Sequence, residues 1–598
     1  MTGAFALSEH LAGIALFTTP LQLAGVSPLA AYNVALILSF ALSAFFTYLL
    51  VRRLLAQGGG PGFAALAGAL CAGMAFGFAP YRAGQLSHLQ VLTTQWMPLA
   101  LLAMHAYLEG GRRAWLAVLG FAWVVQALSN GYYLLFFPVL LALWFAWFVD
   151  WRHQWRRGLT LIGTYALSSV LLVPGLLQYL SVHRQFGLER RITEMRMFSG
   201  DAMSFLTPPH GLAFWPNLDF ANQETFLFPG VTAVTLVLAA WLIGGRRSSV
   251  IPHPSGPPGS SLLFYALAGL AMCWLALGPA LPDEPLTGRV RLYTLLTYLP
   301  GFGALRVPAR FAMLGYMCLA VAAGLALGRL MPARQHARIL VVALVFAGLT
   351  VDGWMAPIPG GAPPTRIMLP AEEGAAVLEL PPDYDEVNTA AMYRSAQHGY
   401  PLVNGYSGHV PQHYRILQDG LRRGDHTVIT ALARPGPLLV LVDAARDRDG
   451  HFQALLDSIP GGELLGISSA GRLFRIPAHV ADSYPLAGDT LHYTLTEPSQ
   501  GIAEMDLGGT RVVRMLEFPL RGRFRQLDPR IEIRTSEDRA TWTTVWLGWT
   551  GGPALLGALE DQQEAPVRFM LPDVRTRYLR VRPLPAVLQS EIQVYGPR

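Results

Sequence analysis

Apolar stretches of about 20 residues recur ten times within the first 355 positions of this chain, and that recurrence restricts its possible folds more than any other feature. Wound as an α-helix, such a stretch crosses a hydrocarbon layer of about 30 Å, because a helix satisfies its own backbone hydrogen bonds where no water can. The windows lie at 29–51, 62–80, 90–108, 114–129, 131–149, 158–180, 227–244, 261–281, 309–330 and 337–354. Every second turn between them is basic: Arg52 and Arg53, Arg112 and Arg113, WRHQWRRG at 151–158, Arg246 and Arg247, and Arg329 to Arg338. These turns therefore share one side, which the excess of arginine makes cytoplasmic. The opposite, outer side receives Tyr81 to His88, Ser129 to Tyr132, the loops 181–226 and 282–308, and everything after Trp354.

Charge supports the division. Only 14% of the 598 residues are charged, against about 25% in an ordinary soluble domain, and the deficit ends near Arg366. Residues 29–355 are thus expected to form a transmembrane helical domain of a multi-pass membrane protein, with the remainder in water. The net charge of +6 is spent largely on the basic turns, which excludes a nucleic-acid partner. Residues 1–28 read as an external amphipathic segment: LAGIALFTTPLQLAG is about 15 residues long and holds Pro20, which is short for a span. No basic stretch precedes it, as a signal peptide would require. Because residue 28 falls outside by the same count, the chain is expected to begin within an external loop, truncated after a first span.

In the soluble half, Ala375 to Leu380 and Leu438 to Val442 read as short buried strands around a helical stretch near His413 to Arg423, a small α/β domain over 366–478. From 485 to 598, short alternating runs such as RIEIRTS, VRFMLP, RYLRVRP and EIQVYG, separated by turn residues, predict an antiparallel β-sandwich. Cys71, Cys273 and Cys318 all sit in apolar runs as packing residues, so no disulfide framework or cysteine zinc site is expected in the soluble half.

Polar residues at the outer ends of the spans are the candidates for function, because charge beside lipid is costly. Arg82 is the only charged residue between Ala56 and Leu108, and Gln85, His88 and Gln95 share its corner. It either contacts a phosphate or sugar or snorkels toward lipid headgroups. In GALRVPARF, residues 303–311, Pro308 suits the first turn of a helix whose free N–H groups would point outward between Arg306 and Arg310, an anion site. The competing assignment pairs those arginines with Asp283 or Glu284. Glu9 with His10, and Glu189, Glu194, Asp201 and His210, are candidate bases or ligands, each competing with an ordinary solvated loop charge. Asn130, beside Tyr132 and Tyr133, reads as a helix end. In the soluble half, residues 392–414 carry His398, Asn404, Tyr406 and His413, which suit sugar hydroxyls or, equally, a rigid packed loop. No P-loop, HExxH, dinucleotide fingerprint or nucleophile elbow is present.

The stretches SEHLAGIALF, APYRAGQLSHLQ with QWMPLALLAMH, SNGYY, LRVPARF and VNGYSGHVPQHY resemble the GT-C class of polytopic membrane glycosyltransferases, over most of residues 8–440. That resemblance implies hexosyl transfer from a polyprenyl-phosphate sugar donor to a glycan, lipid or protein acceptor at the outer face of a bacterial inner (plasma) membrane, with membrane lipid around the spans. It implies an acidic residue of the first external loop as base or metal ligand, matched here by Glu9, and arginines on the lipid phosphate, matched by Arg82, Arg306 and Arg310. No motif demands a cofactor; a divalent metal is the one candidate. RIEIRTSEDRATWTTVWLG with RTRYLRVRP resembles a discoidin-like (F5/8 type C) jelly roll. A non-catalytic, glycan-binding membrane protein of an envelope-polysaccharide pathway is the alternative function, and a transporter a more distant one, since transporters place ionisable groups near the bilayer midplane.

Overall fold

The computed structural model describes residues 9, 11–57, 62–186, 190–218, 223–244, 261–281, 291–358, 360–406, 410–479, 488–499 and 501–597. The chain forms two compact units, Met1–Gly360 and Gly361–Arg598.

The first unit is helical, and each of the ten apolar windows carries a helix. The chain runs through α1 (Ala12–Leu23), α2 (Pro28–Gln57), α3 (Gly62–Gly77), α4 (Trp96–Gly110), α5 (Ala114–Ser129), α6 (Gly131–Phe148), α7 (Trp155–Ser169), α8 (Val173–Phe186), α9 (Val231–Gly244), α10 (Ser261–Leu275), α11 (Phe311–Leu330) and α12 (Gln335–Gly353). Among the described residues, six helical stretches are long and apolar enough to cross a membrane: α2, α3 with the turn after it, α6, α7 continued into α8, α11 with the turn before it, and α12. Burial divides them. Nearly all of α11 is packed inside, whereas α7, α8 and the turn between them leave Leu167, Leu171 and Leu177 bare, a surface that suits hydrocarbon and not water.

Small residues let these helices approach closely where lipid offers no hydrophobic drive for association. A Cβ added to Gly68 of α3 would lie 2.4 Å from the Gly324 carbonyl oxygen of α11, and one on Gly324 would lie 2.4 Å from that of Gly68. Gly315 of α11 meets Cys273 of α10 in the same way. Cys71, Cys273 and Cys318 are free thiols within this packing. At the end of the unit where α2 and α4 finish, Arg53 pairs with Glu109 at 2.8 Å, and Arg157 donates to the Leu108 carbonyl at 2.6 Å, satisfying a helix terminus. Arg246 and Arg247 lie outside the described residues. α1 seats Gly13 against Ser129 of α5 and stacks Phe17 on Trp96, while Leu16 and Leu23 stay exposed.

The second unit is rich in β-structure. A four-stranded sheet has the order β1 (Ala376–Leu380), β2 (Leu438–Val442), β4 (Gly471–Ile476), β3 (Glu463–Ser468), with β1 and β2 parallel. Their crossover carries α13 (Asp385–His398), α14 (Gln412–Arg422) and α15 (Thr427–Leu432). A seven-stranded antiparallel sheet follows: β5 (Thr490–Leu491), β6 (Thr494–Ser499), β7 (Ile502–Pro519), β8 (Arg530–Ser536), β9 (Thr543–Trp549), β10 (Pro566–Arg582) and β11 (Gln593–Tyr595). VRFMLP and RYLRVRP, which read as two strands, are one: β10 runs through both with register shifts at Met570/Val574 and Thr576/Tyr578. One apolar core, from Leu378 to Val594, runs through both sheets and α16 (Gly551–Glu560).

Candidate functional site

Five segments of the first unit meet where α3 ends and α6 and α11 begin. Each is held by local chemistry. Pro308 opens a 3-10 turn, Pro308–Arg310, that feeds α11 and buries Arg310. Asn130 caps α6, its Oδ1 accepting from the backbone N–H of Tyr132 at 2.7 Å and of Tyr133 at 3.0 Å, the helix-end role its sequence position suggests. Tyr133 then donates through its hydroxyl to the Val91 carbonyl at 2.9 Å, tying α6 to the corner that carries His88 and Gln90. Glu224 lies in the turn Gln223–Thr225, followed by the buried run Phe226 to Phe228. Leu227 anchors that run, its N–H donating to Ser204 at 2.9 Å and its carbonyl accepting from the Tyr316 hydroxyl.

Arg310 is the hub. Its Nη2 donates to Oε1 of Glu224 at 2.9 Å, and its guanidinium carbon lies 4.5 Å from the centroid of the Tyr132 ring. Its Nε is sealed from solvent with no acceptor. The same Glu224 oxygen is 3.6 Å from Nε2 of His88, whose Nδ1 meets Ser87 Oγ at 3.1 Å. Glu9 joins from ahead of α1. The residue is half-buried, but its Oε1 is sealed and has no hydrogen-bond partner within range. A Cβ on Gly131 would stand 3.9 Å from that oxygen. Burial raises the Glu9 carboxyl above its ordinary value, opposed by the Arg310 charge, the Gln90 side chain and the Gly131 amide, and assisted by Glu224. Burial likewise lowers the His88 imidazole, against the pull of Glu224. Arg306 is half-buried across the Phe198 ring, 4.7 Å from its centroid, and among the described residues no carboxylate lies within ion-pair distance of it.

The structure thus brings together Glu9, His88, Arg306 and Arg310, and adds Glu224, Gln90, Gly131 and Tyr132, which sequence reasoning had not assigned to a site. The nearest signal for Glu224 is an acid set directly before an apolar run. Asp283 and Glu284, the partners in the competing assignment for the arginines, lie outside the described residues, as do His10 and Glu189.

Two expectations change. The first turn of α11 does not present free N–H groups: Ala309 donates to the Phe198 carbonyl of another segment at 3.3 Å, and the tight 3-10 turn uses the Arg310 N–H on Val307 at 3.3 Å. Arg82 is not at a surface. It is fully buried and donates to Thr94 Oγ1 at 2.9 Å and to the Ser39 and Leu92 carbonyls at 3.1 Å, with the Phe40 ring over its guanidinium. Three internal oxygens take the place of an incoming phosphate. Gln85 is buried beside it in sequence. Glu194, in the first turn of the short helix Ile192–Met197, pairs with Arg190, Asp201 accepts from Ser204, and His210 packs on Phe226.

Among the described residues no three His, Cys, Asp or Glu side chains converge as a metal site. The donor set around Glu224 explains why a dication fits poorly: the oxygen nearest His88 already accepts from a guanidinium, which repels positive charge.

No protein-family model matches this chain, and no curated protein matches it. Among solved structures it is similar to the arabinofuranosyltransferase AftD from mycobacteria. One cryo-EM structure, of a mutant, matches with a TM-score of 0.48 at 13% identity over 97% of this chain and 56% of that one. A second matches at 0.47 and 13% over 93% and 52%. The chain therefore spans about half the length of the structures it matches.

In the second unit part of the predicted surface is used internally. Asn404 is buried, its Oδ1 accepting from Glu379 N–H at 2.7 Å while its Nδ2 donates to the Glu379 carbonyl at 2.8 Å and to Asn388 at 3.0 Å. It bridges backbone as a strand would and has no donor left for a sugar. Nδ1 of His413 meets the Gln562 amide at 3.0 Å, and His398 accepts from the Tyr400 N–H at 3.0 Å. Tyr406 is exposed, and residues 407–409 of the stretch lie outside the described residues.

Proposed function

We propose that the first unit is a GT-C-type glycosyltransferase that moves a sugar from a polyprenyl-phosphate donor to an acceptor hydroxyl at the outer face of a bacterial inner membrane. In this assignment the helices of the ten apolar windows span the bilayer, and the residues after Trp354, with a discoidin-like sheet, lie on the outer side. The observation that carries the proposal is the Glu9 carboxylate, whose sealed Oε1 has no hydrogen-bond partner, set in the field of Arg310, with Arg306, unpaired among the described residues, nearby. Glycosyl transfer needs that pairing of an acceptor for a proton with cations for a phosphate.

The chemistry is a substitution at the anomeric carbon. The acceptor oxygen forms the new glycosidic bond, Glu9 takes the hydroxyl proton, and the bond from the anomeric carbon to phosphate oxygen breaks. The polyprenyl phosphate leaves with the electron pair against Arg306 and Arg310, arginine being suited to two phosphate oxygens at once. Burial helps Glu9, because a carboxyl with a raised pKa is a stronger base once ionised.

The test is incubation of the purified full chain with radiolabelled polyprenyl-phosphate sugars. Loss of lipid-linked label is expected, reduced at least ~100-fold in Glu9→Gln and comparably in Arg306→Ala, the usual scale for removing a general base or a charge stabiliser. Full turnover by Glu9→Gln would remove the assignment of the base, and an inert wild-type chain with every donor would remove the activity. A second function, glycan binding without catalysis, has one observation in its favour: a shallow groove of about 440 Å³ in the second unit, lined by Arg530, Glu532, Leu547 and Arg582.

A further inference from the structure

One oxygen atom in the site is held from two sides by groups far apart in the chain. Oε1 of Glu224 accepts from Nη2 of Arg310 at 2.9 Å and stands 3.6 Å from Nε2 of His88. Arg310 comes from the start of α11, His88 from the corner after α3. A guanidinium and an imidazole converging on one anionic oxygen, with a second arginine close enough to act on that imidazole's titration, is the arrangement a bound phosphate requires. Here the anion is the protein's own. The contact is also incomplete, because Arg310 keeps a buried Nε without an acceptor. A single carboxylate oxygen leaves the guanidinium edge half used, whereas a phosphate presents several oxygens to it.

We propose that the Glu224 carboxylate is a placeholder: it occupies the phosphate position on Arg310 and His88 in the resting protein and is displaced when a phosphate-bearing ligand binds. The proposal rests on the transferase assignment for the identity of that phosphate, and its consequence is specific to binding. Charge explains why displacement is required. Arg310 faces both Glu224 and Glu9, and His88 faces Glu224 with Arg306 acting on it, while the Tyr132 ring lies over the Arg310 guanidinium and the Ser87 hydroxyl meets His88. The Arg310 guanidinium already meets the Glu224 carboxylate, so an arriving phosphate cannot share Arg310 with Glu224 without like-charge repulsion at hydrogen-bond range. A ligand that must first break an internal contact binds more weakly by the fraction of time the contact is open. Glu224 therefore lowers affinity for phosphate and is a positioning residue for Arg310.

The experiment measures binding to the full chain in lipid nanodiscs, with farnesyl monophosphate and inorganic phosphate as probes. If the contact is closed about ten times more often than open, Glu224→Gln binds farnesyl phosphate about tenfold more tightly. Equal tightening for inorganic phosphate marks the headgroup as the ligand; tightening for the lipid probe alone marks a lipid phosphate. A second readout needs no variant: amide exchange in Gln223 to Phe228 rises in the wild-type chain when farnesyl phosphate is added. Unchanged or weaker binding by Glu224→Gln, or exchange that falls on binding, overturns the placeholder. If that happens while Glu9→Gln still abolishes sugar transfer, the transferase assignment stands alone. Tighter binding by Glu224→Gln in a chain that transfers no sugar leaves the placeholder standing without it.

Discussion

Two arginines that look alike in sequence have opposite fates here. Arg82 and Arg310 both border apolar runs, and both are buried. What separates them is the set of oxygens around each, which comes from tertiary structure: Arg82 is surrounded by internal acceptors from residues 39, 92 and 94, Arg310 by a carboxylate 86 positions away and an aromatic ring. Glu9 was legible as one of several outer-segment acids, singled out only by the resemblance to GT-C transferases, but its electrostatic state was not. Burial holds its carboxyl above the ordinary 4.5. The folded protein thus binds that proton more tightly than the unfolded chain does, so the associated stability is fully present below 4.5 and is lost as pH rises through the higher folded value. A glutamine amide in its place cannot ionise. Glu9→Gln should therefore melt at a higher temperature than wild type at pH 7, with the difference shrinking toward pH 4, as read by tryptophan fluorescence in detergent. A variant that melts lower at pH 7 would show that Arg310 outweighs burial at this site.

Elements were read from sequence with uneven success, and the reason is the length over which a signal persists. A helix needed to cross lipid repeats its apolar character for about 20 residues, so every window carries one. Strand signals are shorter. In β10 the Leu571-Pro572-Asp573 stretch reads as a turn, yet the strand continues through it with a register shift, a bulge that only a partner strand reveals. Nor does composition say which small residues are contacts. Gly68 and Gly324 are two of 60 glycines, but each blocks a side chain on the other's helix. Gly324→Leu forces α3 and α11 apart, and overpacking of this kind typically costs about 1–3 kcal/mol. Thermal unfolding of the detergent-solubilised chain should show that loss, while Gly163→Leu, on α7 with open space around it, should leave the transition in place.

At the scale of the whole molecule, the boundary between an apolar and a charged half was visible in composition, whereas the union of the two sheets in the second half was not. It depends on a small number of polar contacts as well as the shared core. Oδ2 of Asp425, just ahead of α15, accepts from the Gly551 N–H at the start of α16 at 2.8 Å, and Thr427 Oγ1 accepts from the Gly552 N–H at 2.9 Å. Residues 126 and 125 positions apart thereby cap one helix from another element, and the glycines are required because a Cβ on Gly551 would lie 2.3 Å from Asp425 Oδ2. Asp425→Ala leaves the buried Gly551 donor unsatisfied, which costs about 1–3 kcal/mol. Because the apolar core runs through both sheets, that loss should appear as a lower midpoint of one transition shared by both, not as melting of one sheet ahead of the other. Denaturant titration of the full chain, followed by exchange at β2 and at β7, tests this directly. Coincident midpoints that move together in Asp425→Ala are expected, and a shift confined to β2 would show that the two sheets are separately stable bodies.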